Sequence, residues 1–518
     1  MSTPRSRRAA RSFSPTRRKL LLVGVFGAVN AGLVRALGSP RSPARAPATA
    51  GEGAPTTPVA LEGAAEPPPP DHNFDTVISG GRVIDPDSGY DQVANVGIDG
   101  GAVTSISKEP LKGTASIDAS GLIVAPGFID LLSYEPNSFG IWYKVADGVT
   151  TNLGMHGLQL APGEYFDRFS GVTPTHFGGA FDDNWGRSIQ AEIGNDLAGT
   201  PDQLDRLVDE FEEGIEGGWI GISFSLEYTP GVDNEEVDRL ADVALKYDLP
   251  MFFHARYSDP DPPGTNAEAI EEILRVAREK GVAVHVEHIT STGGTHTMAE
   301  TLATLDEARA EGIDVTACMY PYTFWATYLG SARFSPGWQE RFRISYDDLV
   351  IPGTGERLTE ATFEQYRSEN VLAAAYAIPE EDVRTGLKDP HVFIGSDAIL
   401  EEELNNHPRG AGSFARVLGH YVRDEQVIDL HQALRKMTIL PAQRLERPVP
   451  ALRRKGRMQI GADADITIFD PDTVIDKATV DNPAQHSEGI EYVMVLGQIV
   501  KDPNGLQTGV TPGQPITA

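Results

Sequence analysis

Two kinds of hydrophobic pattern alternate along this chain. From Phe74 onward the apolar residues fall in short β-rich runs, Asp75–Ser79, Arg82–Asp85 and Asn95–Ile98, separated by Gly-Gly, Asp-Pro and Asp-Gly turn signals. The same style returns near the C-terminus in Asp465–Phe469, Tyr492–Leu496 and Gln498–Val500. Each set alone is a marginal sheet with one face to bury. The economical solution is one small β-sandwich domain formed by both chain ends, residues 74–124 with 455–505.

Between these ends, eight short apolar runs alternate with helical patterns. They begin Gly127–Asp130, Thr150–Leu153, Thr175–Gly178 and Gly221–Phe224, and continue Met251–His254, Ala283–Val286, Asp314–Ala317 and Val392–Gly395. Amphipathic helices fit over Pro201–Gly217, Asn234–Tyr247, Ala267–Lys280 and Met298–Glu311. Strand-helix alternation predicts a parallel sheet, and eight repeats predict an α/β fold of the (β/α)8 TIM barrel type over residues 125–454. Residues 329–388 are too long for a simple connection and read as an inserted lid or subdomain after the seventh strand. Residues 51–73, rich in Gly, Pro, Ala and Glu, read as a disordered or extended linker, and 506–518 as a tail.

Charge narrows the partners. The 518 residues carry a formal charge of −30, yet residues 1–50 hold ten basic side chains and no acidic one, so the remainder stands at −40. Such an acidic body argues against nucleic acid or an anionic membrane and leaves a small-molecule substrate as the expected partner. In the basic segment, Arg17-Arg18-Lys19 precedes the apolar run Leu20–Val34. That order predicts an export signal of the twin-arginine type, placing the protein outside the cytoplasm or tethered by an uncleaved signal. The single cysteine, Cys318, permits no internal disulfide, and no cysteine near the signal offers a lipid anchor. Oligomeric state is not legible.

In a barrel of this kind the reactive groups come from the C-terminal strand ends. Those ends offer His156 after the second strand, His254 after the fifth, His288 after the sixth and Asp397 after the eighth. Three imidazoles and a carboxylate make a zinc site with catalytic access, in which the carboxylate ligates or serves as base on an acidified water. Singly, a histidine that closes an apolar run is more often a satisfied interior group, and Asp397 could simply cap a helix; the joint placement carries the reading. His285, three before His288, is expected on the opposite strand face, away from the lumen. His176 lies within the third strand, and His72, His391, His420, His431 and His486 read as structural or surface residues.

The motifs also carry a resemblance. Ser225-Leu226-Glu227-Tyr228-Thr229-Pro230, Tyr320-Pro321-Tyr322, Gly395-Ser396-Asp397, His407-Pro408-Arg409, Arg416–Tyr421, Lys436-Met437-Thr438 and Gly461–Asp465 resemble the D-aminoacylase (N-acyl-D-amino-acid deacylase) branch of the amidohydrolase superfamily. The likeness runs over roughly residues 74–505. It implies that His254, in His-x-Arg with Arg256, and His288 hold a tight zinc, that Asp397 is the general base, and that Arg409 grips a substrate α-carboxylate. Tyr320 and Tyr322 would assist that grip, and Arg256, Tyr228 and Tyr134 complete the expected substrate-binding set. After Pro126-Gly127-Phe128-Ile129-Asp130, however, Leu132 and Tyr134 stand where the family carries His-x-His. His156 replaces the family's cysteine ligand, and Thr290 a lysine. One Zn2+ or other divalent metal per chain, held by His156, His254 and His288, is therefore expected, with Leu132 and Tyr134 shaping the pocket wall. The implied reaction is hydrolysis of a C–N amide bond in an N-acyl amino acid. The alternatives are a cyclic amide, lactone or small-peptide hydrolase on the same fold, or a non-catalytic exported binding protein.

Overall fold

The computed structural model describes residues 55–402 and 406–518. The export signal expected in residues 1–50 lies outside the described residues. No helix among those described is long and apolar enough to cross a membrane.

The N-terminal strands are β1 (Asn73–Asp85), β2 (Tyr90–Asp99), β3 (Ala102–Ser107), β4 (Lys112–Asp118) and β5 (Ile123–Pro126). The Gly80-Gly81 pair, read from sequence as a turn, is a bulge inside one long strand. The β1–β2 pairing shifts register between Ile78 and Gly81, and Gly80 takes a φ of 70° that favours glycine. The first half of β1 pairs with β4 and the second half with β5, both in parallel.

Eight strands build the barrel. They are β6 (Phe128–Asp130), β7 (Val149–Leu158), β8 (His176–Asp182), β9 (Ile222–Ser225), β10 (Met251–His254), β11 (Val284–Val286) and β12 (Val315–Met319), then, beyond an insertion, the last strand Val392–Ile394. They pair in chain order, and every ladder is parallel. Helices Pro201–Glu216, Asn234–Lys246, Asn266–Lys280 and Met298–Ala310 fall within a residue of their expected bounds. The capping box of Thr265 and Glu268 starts the third of them by satisfying its first free backbone N–H groups.

The insertion holds its own antiparallel sheet of β13 (Trp325–Tyr328), β14 (Leu349–Ile351), β15 (Glu356–Arg357) and β16 (Leu372–Ala375). It begins a few residues earlier than expected. Helix Glu380–Lys388, assigned to it from sequence, instead precedes the last barrel strand, now β17, as an ordinary barrel helix. The C-terminal strands β18 (Ile466–Phe469), β19 (Ile490–Val495), β20 (Gln498–Asp502) and β21 (Gly505–Leu506) join the N-terminal set through antiparallel β18–β5 pairing. Both ends thus share one nine-stranded sheet around a core that includes Ile78, Val83, Val96, Val124, Ile466 and Met494.

No ladder joins β17 to β6 among the described residues, and one backbone hydrogen bond together with side-chain contacts closes that seam. The Asp397 N–H donates to Leu132 O at 2.7 Å, and the Ser396 N–H to Asp130 Oδ1 at 2.9 Å. Buried Lys144 donates to Asp130 Oδ2 at 2.7 Å and also to Ser396 Oγ. A Cβ on Gly395 would lie 2.8 Å from the Leu132 Cβ, so the close approach favours glycine. Leu132 is fully buried in the barrel core and does not line the pocket as expected, since its backbone belongs to this seam.

Two segments read as loose from sequence are anchored. Leu61 N donates to Ile460 O, and Ile460 N to Val59 O, which pins the linker at an isolated parallel bridge between Ala60 and Ile460. The tail pairs with β8: Ile516 N donates to Phe177 O at 2.7 Å, and the Ile516 side chain is 1% exposed.

Candidate metal and hydrolytic site

The strand ends deliver three imidazoles to one point. Ligand atoms of His156, His254 and His288 lie within 4.8 Å of one another. His254 ends β10, with its Nε2 3.0 Å from Glu227 Oε2 and its buried Nδ1 left without a partner. His156 lies in the irregular end of β7, where the pairing with β8 shifts between Gly154 and Leu158, and its Nδ1 contacts Glu287 Oε2. His288 follows β11 with a φ of 26°, a conformation strained for a side chain of this type. A positive φ recurs at Asp397, at 50°.

That irregular backbone corrects one expectation. His285 does not face away from the lumen: it is fully buried between Phe252 and Phe393, and its Nδ1 lies 2.7 Å from Thr316 Oγ1. Phe252 is two residues before His254 on the same strand face, so His285 occupies a lumen layer beneath the metal cluster. Strand alternation counted back from His288 fails because His288 lies beyond the end of β11. His176 stays at the opposite end of the barrel, bonded through Nε2 to Asp465 at 3.1 Å and through Nδ1 to the Gln514 N–H.

Asp397 faces the imidazoles. Its Oδ2 lies 3.0 Å from Arg409 Nη1 and 3.9 Å from His288 Nε2, while the Tyr134 hydroxyl donates to Oδ1 at 3.1 Å. Burial alone would push this carboxyl up, but Arg409 and the imidazoles outweigh it and hold the group well below the usual carboxylate range. Burial dominates at His288 and His254 and pushes both imidazoles down, as a neutral ligand requires. At His156 burial is outweighed by Glu287, and the ring is pushed up to about 9.

The other expected substrate residues divide. Tyr134, Tyr228 and Arg409 line a cavity of about 910 Å3 together with the three histidines and Asp397. The Tyr228 ring packs 5.0 Å from His254, and its hydroxyl donates to Thr327 Oγ1 of the insertion. Arg409 is set by His407, whose Nδ1 accepts the Arg409 N–H at 3.0 Å, and its guanidinium lies over the Tyr320 ring. Tyr320 therefore supports Arg409 from below. Tyr322 turns away, its hydroxyl 3.5 Å from Asp476. Arg256 does not reach the cavity: its guanidinium is engaged by Glu272 and by the carbonyls of Pro230 and Val232. It lies beyond the end of β10, where strand alternation no longer sets the direction of its side chain.

Three neighbours were missed from sequence. Glu287 is fully buried, and its only sequence signal is an acid within the apolar run Ala283–Ile289. Glu227, within a quoted motif, bridges His254 to Arg333 of the insertion, whose Nη1 lies 3.3 Å away. Arg333 itself stacks 4.1 Å over Trp325 and lines the cavity.

The donor set fits a divalent metal: three clustered imidazoles, one with an orphaned buried nitrogen, and carboxylates on the far nitrogens of two of them. A barrel mouth so equipped belongs to hydrolases that activate water rather than a side-chain nucleophile. The chain is a member of the amidohydrolase family, whose model matches residues 229–501. It is 33% identical over 469 residues to the N-acyl-D-glutamate deacylase of Alcaligenes xylosoxydans xylosoxydans, covering 82% of this chain and 93% of that one. The D-aminoacylase of the same organism is 30% identical over 466 residues, covering 82% and 94%. The crystal structure of N-acyl-D-glutamate deacylase from Bordetella bronchiseptica, complexed with zinc and a phosphonate mimic of the tetrahedral intermediate, superposes with a TM-score of 0.75. It is 29% identical and matches over 86% of this chain and 100% of that one. The protein is thus a metal-dependent hydrolase acting on C–N bonds, which displaces the non-catalytic reading.

Proposed function

We propose that the protein removes the acyl group from N-acyl amino acids, of D configuration as the names of its relatives suggest, using a single zinc held by His156, His254 and His288. The observation that carries the reading is Asp397 between His288 and Arg409 at the mouth of one cavity. When bound, the metal supplies Lewis acidity toward an amide carbonyl and acidifies water. Asp397, kept ionised by Arg409, accepts the proton of the attacking water and returns it to the departing nitrogen as the C–N bond breaks. Tyr134 holds Asp397 through Oδ1, which leaves Oδ2 toward the imidazoles. Arg409, with a buried Nε that has no partner, offers a donor to the substrate α-carboxylate.

The test pairs elemental analysis with a panel of N-acyl-D- and N-acyl-L-amino acids and their α-amides. About one zinc per chain, with cleavage of free carboxylates only, is expected; equal turnover of carboxylates and α-amides would remove Arg409 from its role. Export by the twin-arginine route is part of the same proposal, and retention of an Arg17→Lys/Arg18→Lys variant in the cytoplasm is the result expected of a fractionation experiment.

A further inference from the structure

Of the carboxylates around the histidines, Glu287 is placed unlike the rest. Its side chain is fully buried at the end of an apolar strand, a position that penalises a charge by several kcal/mol unless it is paired. Asp397 shares its charge with Arg409, and Glu227 shares its own with Arg333. Among the described residues the only basic side chain paired with Glu287 is His156. Its other oxygen, Oε1, accepts a hydrogen bond from Ser223 Oγ at 2.9 Å, so the carboxylate is held from β9 while it addresses a histidine on β7.

We propose that Glu287 is a positioning residue that makes His156 a metal ligand. A carboxylate on Nδ1 keeps the proton on that nitrogen and turns the Nε2 lone pair outward. The His156 ring centroid lies 5.3 Å from that of His288 and 5.9 Å from that of His254, and the three residues offer ligand atoms within 4.8 Å of one another. His156 needs this help more than its two companions. It sits on an irregular strand end and is the most exposed of the three, with a side chain 12% accessible against 3% for each of the others. Ser223 completes the relay by keeping Glu287 in one rotamer.

The inference rests on the metal-site reading, and its test reads zinc affinity rather than hydrolysis. Competition with a chromogenic chelator gives the Zn2+ affinity of the wild type and of Glu287→Gln, Glu287→Ala, His156→Ala and the double variant Glu287→Ala/His156→Ala. Loss of the carboxylate is expected to weaken zinc binding about 10–100-fold. The double variant is expected to bind no more weakly than His156→Ala, because Glu287 acts through that ring. Glu287→Gln keeps the side-chain volume and the Ser223 bond, and carries the test should Glu287→Ala not fold. Wild-type affinity in Glu287→Gln, or losses that multiply in the double variant, overturns the proposal. If these affinities behave as expected in a protein that cleaves no N-acyl amino acid, Glu287 keeps its role and the substrate reading falls.

Discussion

The Tyr134 hydroxyl donates to Asp397 Oδ1 across 3.1 Å, joining the segment after the first barrel strand to the segment after the last. The bond is partly buried, and burial together with Asp397 keeps the phenol protonated by pushing its pKa well up. Tyr134 thus orients the proposed base directly.

Replacing Tyr134 with Phe removes that donor. A hydrogen bond to a charged group is worth about 1.5–3 kcal/mol, so kcat is expected to fall at least roughly tenfold while zinc content stays unchanged. Steady-state kinetics beside elemental analysis separates this from loss of metal.

The seam between β17 and β6 depends on Lys144. Changing it to Met leaves Asp130 buried without a counter-charge, which destabilises by about 3–5 kcal/mol. The denaturant midpoint of Lys144→Met should drop accordingly, and replacing Asp130 by Asn in the same chain should recover part of it.

Lys436 gives a pH signature. Burial pushes its ammonium down to about 7, although its Nζ donates to the Asp389 and Val392 carbonyls. Unfolded, it would titrate near the ordinary lysine value of 10.5, so between these two values the unfolded chain binds more protons. The contribution of Lys436 is therefore least favourable below pH 7 and improves as pH rises through the window. Relative to Lys436→Met, the wild-type denaturation midpoint should climb between pH 7 and 9; parallel profiles would show that Lys436 does not titrate there.

Chelation should lower the melting temperature and added Zn2+ restore it. At a free concentration a thousandfold above Kd the coupling is worth about 4 kcal/mol. His254→Ala should respond to neither treatment, and differential scanning fluorimetry reads both.

Much of this molecule was legible in its sequence. Eight apolar runs predicted eight parallel strands because period and spacing are local properties, and the residues closing those runs found His156, His254, His288 and Asp397. The long-range arrangement around them was not. Glu287 and Glu227 gained their meaning only when separate strands set them beside His156 and His254. His285 entered the lumen because His288 left the regular strand, so counting positions could not find it. The resemblance implied Arg256 as a substrate ligand, yet a neighbouring helix and loop claimed its donors. Sequence spacing states which side chains a strand end can offer. Which of them meet is decided by register, strained backbone and competition for partners across the fold.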